Sequence, residues 1–421
     1  MNIPRKTLID VELVEFQKNP LEFFVKLHQE YEDIVEIDIG KTTYVVPFKA
    51  EYIAKIVEEP LVGRTTFSKL FQPIAGGSII LSEGEVWKNQ RKALSPFLFS
   101  PKINDDIVRM LALEAVAHLD SLGKKSAPID ARDVIVIYCM KVLSAMVFGE
   151  DIEDEVLRDI YHNWDVSLEC FTKTMGEGAS ESDVQNMEKA CKNVEMSLLD
   201  IISKKRLSKG DSSILFALIS SASFATDEEI MKNIKGLFVA GFETISNALL
   251  WFLSDLAHNP TWQKRIRSEI SNDMFRWDND AGAMRLCFNE TLRMHPPLVF
   301  VDRALRVDVD LLDFVLAEGT EVLICPYVVH RDARYWATPS DYLPERAETE
   351  MYLQANSYQY FPYGGGPMKC MGEKLSVIER NILVQELLTR YEIKVYANQP
   401  TEVDETLSLR PKKLLLELVK V

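Results

Sequence analysis

The segment Tyr363-Gly364-Gly365-Gly366-Pro367-Met368-Lys369-Cys370-Met371-Gly372 stands directly before a helical stretch, roughly Met371 to Tyr391. Consecutive glycines let a backbone turn sharply and bring amides close to a ligand. A thiol at the head of a helix has its thiolate stabilised by the dipole and by free N–H groups. The segment therefore reads as a loop that can aim several amides at one sulfur. A phosphate loop is the obvious rival, but G-x-x-x-x-G-K-[ST] is not satisfied, and a Rossmann fingerprint is absent as well. Taken alone, a glycine-rich turn with an incidental cysteine is the plainer meaning.

Upstream, Thr226-Asp227-Glu228-Glu229 is a capping box. Thr226 can cap the amide three residues on, and Glu229 can reach back. Periodic apolar positions run from there to Leu256, and His258-Asn259-Pro260 ends them. About 30 residues at ~1.5 Å each make a rod of roughly 45 Å, enough to cross a whole domain. Its centre reads Ala240-Gly241-Phe242-Glu243-Thr244. Glycine in mid-helix costs ~1 kcal/mol against alanine. Two small residues there mean either close packing of another helix or something flat lying against this one.

Glu290-Thr291-Leu292-Arg293 puts Glu290 and Arg293 on one helix face, where they can pair, and Met294-His295-Pro296-Pro297 ends that helix. Pro344-Glu345-Arg346 supplies a second arginine in an irregular segment. One carboxylate with two guanidiniums can lock a loop to a helix, although each piece alone means no more than a solvated ion pair. Trp87-Lys88-Asn89-Gln90-Arg91 sets Trp87 and Arg91 on one helix face, and Arg303 is a further cation. Two or three such donors converging can hold the carboxylates of a cofactor.

Around these landmarks, Pro20 to Tyr31 reads as an amphipathic helix, and Ile34 to Ile39 and Thr42 to Val46 alternate as a hairpin across Gly40-Lys41. From roughly residue 85 to 295 the periodicity is helical, interrupted by a polar interval, Gly176 to Asp183, that reads as a mobile loop. Val301 to Leu323 returns to strand-like alternation, an irregular segment leads to Cys370, and a short β-like tail closes the chain. No repeat and no linker divides it, so a single large, mostly helical domain with a small β part is the simplest architecture.

Composition excludes several classes. Over 421 residues, Lys plus Arg number 48 and Asp plus Glu 64, a net charge of −16, which repels nucleic-acid phosphates. The basic amphipathic stretch that favours an anionic membrane surface is missing. The first residues show neither a long apolar run nor a charged-then-apolar signal pattern, so the expectation is a cytoplasmic protein without a membrane anchor. Cys139, Cys170, Cys191, Cys287, Cys325 and Cys370 lie far apart with no C-x-x-C pair, which argues for reduced thiols and against a cysteine zinc site. The histidines form no H-E-x-x-H pattern and are read as structural.

Taken jointly, in their order along the chain, these motifs resemble the cytochrome P450 family, the haem-thiolate monooxygenases, in its soluble bacterial-type form. The resemblance spans nearly the whole chain from about residue 20. It implies a mainly α fold, with a large helical domain and a small β-rich N-terminal part. One domain would cover 1–421, β-rich mainly over 30–80 and 300–330 and helical mainly over 85–300 and 371–391. It implies haem b (iron protoporphyrin IX) with Cys370 as the proximal thiolate on iron, inside the Tyr363, Gly364 and Gly366 loop. Glu290, Arg293 and Arg346 would be the structural triad. Trp87 and Arg91, with Arg303, would bind the haem propionates, and Ala240 and Gly241 would lie against the haem. Glu243 and Thr244 would be the distal acid–alcohol pair, and Glu379 a structural residue. Two positions depart from the family pattern: Tyr363 replaces the usual Phe, and Met368 replaces the usual Arg or His. The ring at Tyr363 still shields the sulfur. Met368 removes a propionate partner, and Trp87, Arg91 and Arg303 are expected to suffice.

The resemblance further implies insertion of one oxygen atom from O2 into a largely apolar small organic substrate. Electrons would come from NAD(P)H indirectly, through a ferredoxin or flavodoxin with its reductase, to a monomeric enzyme. Leu81-Ser82-Glu83-Gly84-Glu85-Val86-Trp87 is closer to the fatty-acid-oxidising and eukaryote-like branch, which points to a lipid, fatty acid or terpenoid-like substrate. Lys88, Lys92, Lys369 and Lys374 would cluster on the cysteine side and suit an acidic electron donor. The pocket would be lined from Phe67 to Ile80, Trp164 to Met175, Leu237 to Thr244, Leu298 to Val301 and the tail near Leu407. Alternatives are an isomerase, dehydratase or peroxygenase without external electrons, against which the acid–alcohol pair counts, and a non-catalytic haem-binding sensor.

Overall fold

The computed structural model describes residues 3–8, 15–16, 18–39, 41–99, 105–125, 128–149, 152–175, 180–206, 213–220, 226–271, 280–348, 358–396, 402–404 and 408–421. Gly40, Gly176 to Ala179 and Leu407 lie outside the described residues.

The central helix is Asp227–His258, 32 residues long, and it opens as its capping box dictates. Glu229 N donates to Thr226 Oγ1 and Thr226 N to Glu229 Oε2, both at 3.2 Å. Two orphan amides are thereby satisfied, and the apolar run that follows is buried on almost every face. Among the described residues it is also the one helix long and apolar enough to cross a membrane, and 78% of that stretch is buried inside the protein. Its length and composition are those of a core element. Helix Arg132–Phe148 packs along it, and Phe252 meets Phe288 of helix Gly282–Met294 edge-on at 5.2 Å. Trp251 Nε1 donates to Leu409 O at 2.9 Å, which ties the C-terminal tail to the same rod.

The main sheet runs Arg5–Thr7, Ile34–Ile39, Thr42–Pro47, Glu321–Ile324, Val301–Leu305, Val62–Gly63. The hairpin register pairs Ile39 with Thr42, as the alternation requires. Val301–Leu305 lies antiparallel to Glu321–Ile324 and carries Arg303 into the interior. The β part is not confined to the N-terminal half. Tyr391–Val395, Leu415–Lys420 and Ile129–Asp130 form a second sheet.

Two expected boundaries move. The polar interval after helix Asp154–Met175 is shorter than expected, because helix Glu181–Arg206 has already begun by Asp183. Ser180 explains this: Asp183 N donates to Ser180 Oγ at 3.2 Å and Ser180 N to Asp183 Oδ2 at 3.0 Å, a reciprocal cap. The helix after the cysteine is Glu373–Leu388, shorter at both ends than 371–391. Cys370 N is already committed to Tyr363 O at 2.9 Å, which holds the cysteine in the loop. At the other end Tyr391 pairs with Lys420 and is drawn into a strand.

Candidate functional site

The cysteine loop folds back on itself. Gly364 and Gly366 take φ of 67° and 58°, left-handed values that only glycine adopts without strain. A Cβ on Gly366 would stand 2.1 Å from Val57 O, so no larger residue fits. Tyr363 Oη exchanges a hydrogen bond with Ser376 Oγ at 3.0 Å, which fixes the ring against the following helix. The helix begins three positions after Cys370, so the amide fan expected at the sulfur reduces to Gly372 N, 3.3 Å from Sγ. Cys370 is the one exposed cysteine of the six. Burial nevertheless is the largest influence on its thiol and raises its pKa; Gly372 N, Arg91 and Lys369 pull it down, and Glu373 adds to the rise. An exposed sulfur that feels burial most faces a gap inside the protein. In such a place a thiolate needs a cation upon it.

A second opening lies on the central helix. Ala240 is exposed in mid-helix, between Phe238 and Phe242, which are buried. Gly241 has a different reason: a Cβ there would come 3.0 Å from Leu143 Cδ2, so the glycine admits helix Arg132–Phe148. The room against this helix is therefore Ala240's, and Gly241 serves helix packing. Thr244 Oγ1 donates to Ala240 O at 2.7 Å, the back-bond that loosens a helix. Glu243 is buried, and its Oε1 accepts from Asn247 Nδ2 and from Ser408 Oγ, each at 2.9 Å.

Beneath the loop, Glu290 and Arg293 are both 0% exposed. Arg293 Nε donates to Oε2 at 2.9 Å and Nη2 to Oε1 at 2.8 Å. Arg346 Nε reaches the same Oε1 at 3.2 Å, and Leu343 N at 3.0 Å. The remaining guanidinium donors run to carbonyls of His330, Pro339 and Asp341 from Arg293, and of Ala337 and Thr338 from Arg346. The expected triad is thus a staple that pins the irregular segment 337–346 to helix Gly282–Met294. His330 Nε2 accepts from Phe361 N at 3.0 Å, which ties that segment to the start of the cysteine loop. Burial, with Arg293 and Arg331, lowers His330 to about 3 and keeps it neutral. Glu379 is fully buried with neither oxygen bonded, and burial pushes its carboxyl well up, so it is a neutral acid inside the core.

Arg303 and Arg64 form a cationic pair. Burial lowers Arg303 to about 10; Asp302 opposes that, and Arg64 adds to it. Burial likewise lowers Arg64, against Asp302 and Glu83. Arg303 Nη1 donates to Asp302 O at 2.7 Å and Arg64 Nη2 to Ile79 O at 3.3 Å, while the Nε of each is sealed without a partner. Asp302 does not pair with either: its Oδ2 is taken by Thr65 Oγ1, Thr65 N and Ser68 Oγ. A buried guanidinium at Arg303 and a half-buried one at Arg64, neither bonded to a carboxylate, suit an anionic guest. Arg64 is a functional candidate that the sequence reading passed over, since nothing local distinguishes it from any other surface-type cation. Arg91 stands beside Cys370. Its Nη2 donates to Lys369 O at 2.8 Å and its guanidinium lies 5.3 Å from the Trp87 ring, so it braces the loop beside the cysteine. Trp87 is half-buried, and Met368 sits half-buried in the Gly366–Met368 turn.

The expected pocket segments do meet. Phe67 contacts Phe300 at 5.6 Å, and Phe71 contacts Trp164 at 6.4 Å and Phe171 at 5.0 Å. Trp164 contacts Phe242 of the central helix at 6.1 Å, and Leu298 bridges Ser408 of the tail. On the cysteine side the four lysines are partly self-neutralised. Lys88 pairs with Glu85 and Lys369 with Glu373, each at 2.7 Å, which leaves Lys92 and Lys374 exposed and without an ion pair among the described residues.

An open sulfur, an open alanine on the central rod and a pair of uncompensated guanidiniums fit a flat, iron-bearing, dicarboxylate group such as haem. The family model for cytochrome P450 matches residues 4–418. Cytochrome P450 3A9 of Rattus norvegicus is 24% identical over 97% of this chain and 88% of its own length. Cytochrome P450 3A6 of Oryctolagus cuniculus is 23% identical over 100% and 92%, and cytochrome P450 4V2 of Rattus norvegicus 23% over 91% and 82%. The chain belongs to the cytochrome P450 family, the haem-thiolate monooxygenases, which work with haem b, O2 and NAD(P)H-derived electrons delivered by redox partners.

Proposed function

We propose that this enzyme hydroxylates a largely apolar small molecule of lipid, fatty-acid or terpenoid type. The observation that carries this is an aromatic wall in two patches, one linking Phe171, Phe71, Trp164 and Phe242 in a chain of contacts and one of Phe67 against Phe300. Such a wall binds by area removed from water, at about 25 cal/mol per Å², and leaves the pose to shape. When bound, haem supplies dioxygen activation at an iron that carries a thiolate. In this reading Cys370 provides the sulfur, and Arg64 and Arg303 hold the propionates. Trp87 and Arg91 add a propionate donor from the cysteine side and also brace the loop. Thr244 holds a proton at Oγ1, and Glu243 supplies its replacement. Exposed Lys92 and Lys374, beside the self-paired Lys88 and Lys369, support an acidic ferredoxin or flavodoxin as electron donor. Buried thiols at Cys139, Cys170, Cys191 and Cys287 favour a cytoplasmic setting.

The test is turnover of an apolar ligand panel with NAD(P)H, a reductase and an acidic ferredoxin or flavodoxin. Expected results are a spin-state shift on ligand binding, an oxygenated product that requires all components, and a reduction rate that falls as salt rises. Turnover without the electron donor, or none with any apolar ligand, rejects the proposal.

Two variants probe the residues. Thr244→Ala is expected to consume NAD(P)H at near the wild-type rate while releasing most of it as peroxide. Product yield per electron equal to wild type would remove Thr244 from proton handling. Arg64→Leu and Arg303→Leu are each expected to speed haem transfer to an apo-acceptor about tenfold, since a charged hydrogen bond contributes about 1.5–3 kcal/mol. Met368→Arg is expected to slow it. Unchanged transfer in both leucine variants rejects the guanidinium pair as the propionate clamp.

A further inference from the structure

Glu243 sits at the edge of a charged cluster built with the C-terminal tail. Its Oε1 is fixed by Asn247 Nδ2 and Ser408 Oγ, and Asn247 Nδ2 also reaches Ser408 Oγ at 3.2 Å. Its Oε2 takes no hydrogen bond from the described residues and is not among the sealed, unpartnered atoms. Two positions along the tail, Arg410 is 7% exposed. Burial works against its charge, but Glu243, Asp165 and Asp404 together raise it. Arg410 Nη1 donates to Asp165 Oδ1 at 2.5 Å and Nη2 to Asp404 Oδ2 at 2.7 Å. Asp165 is 34% exposed and lies 3.7 Å from Arg132 Nη2. Arg132 Nε donates to Tyr161 Oη at 3.0 Å, and burial chiefly raises that phenol to about 12. So Asn247 and Ser408 bond Glu243 directly, Arg410 and Tyr161 act on it by charge, and Asp165, Asp404 and Arg132 complete the cluster around Arg410 and Tyr161. Two cations serve three carboxylates. Buried ion pairs are poor stabilisers compared with apolar packing, so a cluster of this kind asks for a purpose.

We infer that Ser408 and Arg410 are positioning residues for Glu243: the C-terminal tail fixes the orientation and the electrostatic surroundings of the carboxylate. The inference rests on the monooxygenase reading. For each proton supplied, Glu243 Oε2 gains one from water and passes one on to the Thr244 hydroxyl or a water bonded to it, returning to the carboxylate. Arg410 keeps its own proton throughout, and no electron moves.

The experiment uses the haem-loaded enzyme and its Arg410→Gln, Arg410→Lys and Ser408→Ala variants. Infrared carboxyl bands are assigned to Glu243 with Glu243→Gln. In Arg410→Gln the Glu243 carboxyl band is expected to shift, because a neighbouring cation is lost. Product per electron should fall severalfold, with peroxide in its place. Arg410→Lys keeps the charge and is expected to restore both. Ser408→Ala removes one hydroxyl and is expected to shift the band and the coupling in the same direction by less; it decides the matter if Arg410→Gln does not fold. Wild-type bands in Arg410→Gln, wild-type coupling despite a shifted band, or a lysine variant as defective as the glutamine one would each overturn the inference. If the wild type forms no product from O2 and electrons, the monooxygenase reading fails, and the infrared shift still decides whether the tail controls Glu243.

Discussion

Cys370→Ala loses the thiolate signature in the reduced carbon-monoxide difference spectrum and forms no product above background, while the fold survives. The side chain does little structural work. It is exposed, and among the described residues the sulfur's one bond is the 3.3 Å contact from Gly372 N. The backbone bond from Cys370 N to Tyr363 O at 2.9 Å remains in the variant, as does the Arg91 bond to Lys369 O at 2.8 Å. A change at such a position stays within about 0.5 kcal/mol of wild type. Urea midpoints of the two haem-free proteins should therefore coincide. Chemistry, in contrast, loses everything that an anionic sulfur contributes. Cys139→Ala is the control: that cysteine is fully buried beside Glu379, so it loses stability and keeps the spectrum. A Cys370→Ala protein with the wild-type optical signature would place the axial ligand elsewhere.

Glu290→Gln is expected to have the largest effect on stability. The substitution keeps the shape but removes the charge opposite Arg293, which is 0% exposed. Breaking one partner of a buried pair costs about 3–5 kcal/mol, because the survivor is left charged in a poor solvent. Total stabilities run about 5–15 kcal/mol, so about a fifth or more is at stake. The loss is concentrated where Arg293 and Arg346 hold the carbonyls of residues 337–341, and through His330 it reaches the start of the cysteine loop. Lower soluble yield, a lower urea midpoint and faster haem loss should therefore appear together. Arg346→Gln is expected to cost less, since its side chain is 12% exposed and water can replace part of the network. A double-mutant cycle on Glu290 and Arg293 measures the coupling directly. A Glu290→Gln protein within about 1 kcal/mol of wild type would show that the staple is dispensable.

Local spacing made much of this legible. The glycine triplet before Cys370, the i, i+3 pair at Glu290 and the capping box at Thr226 each act within a few residues of chain, where sequence separation and distance in space are nearly the same thing. The helix start at Glu181 was missed for a related reason: its cap, Ser180, lies in a polar stretch that composition alone reads as loop.

Partners across the fold were not legible. Ser408 and Glu243 are 165 residues apart, and Arg410 and Asp165 are 245 apart. Nothing in the vicinity of Arg64 announces Arg303. Sequence alone determined the family of chemistry: a cysteine ligand loop, a small-residue window on a long apolar rod, and a carboxylate with two arginines in the right order. Tertiary structure alone decided the division of labour. It turned Gly241 toward Leu143 and left the opening to Ala240, placed Arg91 on the loop carbonyl and Arg64 beside Arg303, and surrounded Glu243 with the tail. Helical periodicity tells which residues share a face. Only packing tells what that face meets, because burial and long-range charge arise between segments that the chain order keeps apart.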